Sequence, residues 1–174
     1  MPTHALTTLC KDNIACLREL AAVIHKLDDD DYRRALPPCS SGIGAHVRHV
    51  LDHYDAFLGG LGTGSVDYDC RERDTATQLM PRKALQRIDD LCGTLSRLTD
   101  EDLPERIAVV MDCGSDRSIG LAVPSTPLRE LQFLVSHTVH HDALIAASVK
   151  QLDVDVHDGY GVAPSTLRFS DNTN

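Results

Sequence analysis

The chain has 174 residues, the size of one domain able to bury its own core. Its 17 basic and 26 acidic residues leave a formal charge of −9, and aromatic residues make up 4% with no Trp. Both features argue against a nucleic-acid binder, which needs cations for phosphates and rings for stacking bases. At 42% hydrophobic and 25% charged, the chain is too apolar for disorder.

No uncharged apolar run approaches the ~18 to 20 residues needed to cross a bilayer, so no membrane partner is expected. The start, Met1-Pro2-Thr3-His4, lacks the basic and apolar stretches of a signal peptide. A cytoplasmic protein is the expectation. The six cysteines form no C-x-x-C pair and read as scattered free thiols.

A first amphipathic helix is predicted from about Thr7 to Leu27, with Cys10, Ile14, Leu17, Ala21 and Ile24 on one stripe. The acidic run Asp28–Asp31 reads as a solvated helix end or loop. Pro37-Pro38 break the chain, since proline donates no backbone bond and restricts its predecessor. A second helix follows to about Leu61, capped by Ser40 or Ser41, with Ile43, Val47, Val50, Tyr54, Phe57 and Leu61 as its apolar face. The glycines at 59, 60, 62 and 64 end it, and residues 65–78 read as a polar stretch long enough to be a mobile loop or a functional one.

Pro81 opens a third helix through Leu85, Ile88, Leu91, Cys92, Leu95 and Leu98. Residues 107–111 and 119–123 flank a turn-rich loop and predict a short β-hairpin. Thr126 and Pro127 then cap and start a fourth helix that reaches about Lys150. The expected fold is all-α, a four-helix bundle over residues 1–150 with a hairpin between the third and fourth helices. Residues 151–174 are expected to pack on the bundle or to be partly disordered.

Nine histidines are the unusual count, and six of them fall in two clusters. The second helix carries His46, His49 and His53, within about a 60° arc at 100° per residue. The fourth carries His137, His140 and His141. His137 and His141 are four apart, one turn above each other, so both imidazoles can converge on one ion with a third from a facing helix. Neutral imidazole suits zinc, nickel, copper and iron, and three protein nitrogens leave an open position for water or substrate. Spacing does not choose among His46, His49 and His53, although His46 and His53 lie nearer the apolar stripe. A ferritin-type di-iron site would need Glu-x-x-His, which the sequence lacks.

Two segments, His49-Val50-Leu51-Asp52 preceded by Ser41-Gly-Ile-Gly44, and His137-Thr-Val-His-His141, resemble the DinB-like (DNA-damage-inducible protein B) superfamily of metal-binding four-helix bundles. The resemblance covers the order of the helices from about residue 5 to 150. It implies His49, His137 and His141 as ligands of a divalent ion, zinc or nickel, with His140 as their neighbour. Asp52 and His140 become candidates for orienting ligands or moving protons. Many members continue with Arg-Gly-Gln where this chain has Asp142-Ala143-Leu144; Asp142 reads as a surface charge in preference to a hydrogen-bond acceptor behind the ligands. The enzymes of the family use a divalent metal with low-molecular-weight thiols, as thiol S-transferases and thiol-dependent isomerases; with water or a thiol activated at the open position, the expectation is a thiol S-transferase or hydrolase with a small thiol or electrophile as partner. The alternative is a non-catalytic metal-binding bundle working through dimer or partner contacts. A homodimer is expected in either case.

Overall fold

The computed structural model describes residues 3–70, 74–112 and 121–171. Helix dominates, with one small sheet. The long helices are α1 (His4–Ile24), α3 (Ile43–Leu61), α5 (Pro81–Arg97) and α6 (Pro127–Val149). Short helices α2 (Asp29–Arg33), α4 (Thr75–Leu79) and α7 (Pro164–Asp171) lie between and after them. None of the described helices is long and apolar enough to cross a membrane.

Local chemistry sets most boundaries. The Thr3 hydroxyl accepts from the Leu6 N–H at 3.3 Å, so α1 starts three residues before its periodicity suggests. The Thr126 hydroxyl accepts from the Arg129 N–H at 3.3 Å and Pro127 fills the first turn of α6. The acidic run is not a plain loop: the Asp28 carboxylate caps α2 through the Asp31 N–H at 2.7 Å. Neither Ser40 nor Ser41 caps α3. The cap is Gly42 at φ +87°, with no side-chain bond, because the chain reverses there through a left-handed conformation open to glycine. Ser41 is thereby left exposed at the helix entrance.

The hairpin pairs β2 (Ile107–Met111) with β3 (Leu121–Ser125), antiparallel, with Val109 opposite Val123. The second strand lies two residues beyond its expected place, and residues 113–120 of the connection are outside the described region. The polar stretch 65–78 adds β1 (Ser65–Asp67), parallel to β2 with Val66 opposite Val109, and then α4. Strand order is β1-β2-β3. Sequence pattern missed β1 because three residues are too few to show a period.

Helices α1 and α3 each pack on both α5 and α6. Their stripes meet in a core of Leu6, Leu17, Leu20, Ile24, Val47, Val50, Phe57, Ile88, Leu95, Leu131, Leu134, Ile145 and Val149, all at most 1% exposed. One polar network crosses this core. The Tyr54 hydroxyl donates to Asn13 Oδ1 at 2.8 Å and lies 3.1 Å from Thr138 Oγ1. Asn13 Nδ2 donates to the Leu9 and Leu131 carbonyls at 2.8 and 3.0 Å. Thr138 donates to the Leu134 carbonyl at 2.8 Å. These bonds tie α1, α3 and α6 at one level. The segment after α6 returns to it: Tyr160 is buried and donates to Asp142 Oδ1 at 2.9 Å.

Tyr54→Phe keeps the ring and leaves Asn13 Oδ1 without its donor. Equilibrium urea denaturation should show a loss of about 1–3 kcal/mol, the cost of an unsatisfied buried acceptor, with little change in slope.

Candidate metal centre

The network just described sets the rotation of α3 and α6. Tyr54 and Thr138 point to the core, so their neighbours His53 and His137 stand about 100° round each helix, on the faces the two helices turn toward each other. The result is a four-ring array built from two i,i+4 pairs, His49/His53 and His137/His141. His49 Nε2 and His137 Nε2 lie 3.2 Å apart across the helix gap. The His53 ring centroid is 4.4 Å from His49 and 3.9 Å from His137. His141 is 4.7 Å from each of the same two. His49 and His137 thus form the shared middle, with His53 on one side and His141 on the other.

The two sides differ. On the His53 side, Tyr68 stacks on the imidazole at 5.1 Å and 17°, and Phe133 lies 5.6 Å from His137. Tyr68 is fixed by its hydroxyl, which donates to the buried Glu130 at 3.0 Å. That side is apolar. On the His141 side, an open cavity of about 480 Å³ is walled by Ser41, Ala45, His46, Arg48, His49, Gln78 and His141. His46 Nδ1 sits 3.0 Å from His141 Nδ1. His140 is exposed, with its ring 5.1 Å from His141.

The residues fit a cation. Ligand nitrogens of His49, His53 and His137 all lie within 4.8 Å of one another, and this trio could hold a metal ion. His53 Nδ1 is engaged with the His49 carbonyl at 2.8 Å, which assigns the ring proton there and leaves Nε2 its lone pair. His137 Nδ1 is buried with no hydrogen-bond partner among the described residues.

Burial keeps His137 and His141 neutral. The His137 pKa is pushed down to about 2, by burial first and then by His53, His141, His49 and His140. His141 falls to about 4 through burial, then His46, His140 and His53. His46 is lowered by burial and by His140. Neutral imidazoles with free lone pairs are what a divalent ion needs.

The two nearby acids turn elsewhere. Asp52 is 5% exposed, and its carboxylate accepts from Arg87 at 3.0 Å and pairs with Arg48 at 3.7 Å. Asp142 is not a surface charge: it is 2% exposed beneath Tyr160. Burial raises its pKa to about 8, partly offset by the Tyr160 bond. Sequence reasoning missed Tyr68, Phe133, Gln78 and Arg48 around the histidines. Of these only Arg48 left a trace, its i,i+4 spacing to Asp52.

A family model described as the DinB superfamily matches residues 14–145, well over half of the chain. No curated protein matches it.

The shifts fix a stability profile for the metal-free protein. Of the three groups His137, His141 and Asp142, between about pH 4 and 6.5 the unfolded chain protonates the two histidines and the folded chain protonates Asp142 alone, so their contribution to stability rises with pH. Between 6.5 and about 8 the folded state alone holds the Asp142 proton, so stability falls. Thermal melts across this range should peak near pH 6.5, and Asp142→Asn should remove the fall but keep the rise.

Proposed function

The chain belongs to the DinB superfamily, a metal-binding family, and from that membership and its histidine array we propose a divalent-metal enzyme in a four-helix bundle. The observation that carries this is the facing of His49 Nε2 and His137 Nε2 at 3.2 Å between two helices, with a further imidazole on each side. We take His141 as the third ligand, because its side opens to the cavity and a substrate could reach the ion there. Zinc or nickel suits three imidazoles. Such an ion acts as a Lewis acid and lowers the pKa of a thiol or water brought to it. That supports thiol S-transfer or hydrolysis on a small thiol or electrophile.

The chain's own residues do the rest. His46 Nδ1 fixes the His141 ring through the 3.0 Å contact, which selects the nitrogen His141 presents. His140, exposed beside His141, is placed to pass a proton to solvent. Asp52 acts at one remove, holding Arg48 in the cavity wall. Tyr68 and Phe133 exclude water behind the array.

A second ligand set has its own support: His53 in place of His141, since the nitrogens of His49, His53 and His137 are the trio within 4.8 Å. The apolar side would then favour a structural ion and the non-catalytic alternative.

Metal analysis by plasma mass spectrometry separates these. The wild type should carry about one divalent ion per chain, lost in His49→Ala and His137→Ala. His141→Ala should lose it while His53→Ala keeps it; the reverse pattern establishes the second set. Helicity should survive chelation if the ion is catalytic. A wild type that takes up neither zinc nor nickel sinks the proposal.

A further inference from the structure

Building on the histidine array as a reaction centre, we propose that Arg48 anchors a substrate carboxylate, so that the cavity takes small carboxylate-bearing molecules. The cavity of about 480 Å³ is of small-molecule size. Arg48 is the one formally charged residue among the described residues of its wall. No acid faces it there, in a chain that carries −9 overall. An acidic protein therefore presents a cation to this space.

The charge of Arg48 is incompletely matched. Asp52 lies 3.7 Å from Arg48 Nε but 3.0 Å from Arg87, and Arg87 also binds Asp55. Arg87 has two carboxylates; Arg48 has a share of one, at the longer distance. Arg48 Nε is buried with no hydrogen-bond partner among the described residues. A guanidinium held this way, in a half-buried position of lowered dielectric, attracts an anion more strongly than a surface arginine does. Its planar fork matches a carboxylate with two parallel bonds.

The side chain is also positioned in advance. A Cβ on Gly44 would lie 2.1 Å from the Gln78 carbonyl oxygen, so α3 and α4 meet backbone to backbone. That contact brings the Gln78 side chain onto Arg48, whose NH1 donates to Gln78 Oε1. Arg48 precedes His49 on α3, and both line the same cavity. A molecule anchored at Arg48 would extend its other end toward His49 and His141. One cation with a single serine, Ser41, in the wall suits a carboxylate better than a phosphate dianion, which draws clusters of donors.

The test is a succinate titration of zinc-reconstituted protein, followed by ¹H–¹⁵N NMR at Arg48 Nε–H and the Ser41 and Gln78 amides. Arg48→Gln should weaken succinate by about tenfold or more, as for loss of a charge-assisted pair. Arg48→Lys should fall between, and circular dichroism confirms that both fold. Equal affinity in wild type and Arg48→Gln, no succinate binding by the wild type, or inorganic phosphate binding more tightly than succinate would each overturn the proposal. Zinc content is measured in the same samples. If the wild type holds no zinc, the metal proposal fails by itself, and the same titration of the metal-free protein still decides Arg48.

Discussion

The hydroxyl of Tyr54 is the point on which the arrangement turns. Apolar stripes bring helices together, but a stripe is wide and tolerates tens of degrees of rotation. A buried hydrogen bond does not, because misalignment leaves a polar group unsatisfied at low dielectric. By joining Asn13 on α1 to Thr138 on α6, Tyr54 fixes the rotation of three helices at one level. The adjacent residues His53 and His137 then stack at 3.9 Å.

Packing so many imidazoles together would be costly if they were charged. At His137 and His141 burial and the neighbouring histidines act in the same direction, and both rings stay neutral. A carboxylate against them would have pulled their pKa values up and held protons on the nitrogens. Instead the buried acids of the same helices are engaged by other groups, Asp52 by Arg87 and Arg48, Asp142 by Tyr160, and Glu130 by Tyr68, Ser125 and Arg129.

The array also has a dry side and an open side. Tyr68, anchored on Glu130, and Phe133 close one; Ser41, Arg48 and Gln78 border the other. Both borders draw on the stretch between α3 and α5, which holds Tyr68 just after β1 and Gln78 in α4. What reads as a polar loop is thus the segment that gives the histidines two unlike surroundings. The Gly42 turn contributes as well, since it leaves Ser41 at the cavity instead of spending it on a helix cap.

The four long helices were legible in the residue order, because apolar periodicity and the signals at Thr126, Pro127 and Pro81 are local properties of the chain. That order also determined that His46, His49 and His53 share one helix face and His137 and His141 another, since 3.6 residues per turn requires it. The family followed from the same two segments. Which rings meet was not written there. Spacing did not choose among His46, His49 and His53, and the apolar stripe leaned away from His49; the packing of α3 on α6 set His49 against His137 and His46 against His141. The burial of Asp142 depended on Tyr160, eighteen residues away, and the pairing of Asp52 on Arg87 of another helix. Helix faces come from nearest neighbours in the chain; ligand pairs, buried acids and the two sides of the array come from contacts between distant segments, which only the tertiary structure decides.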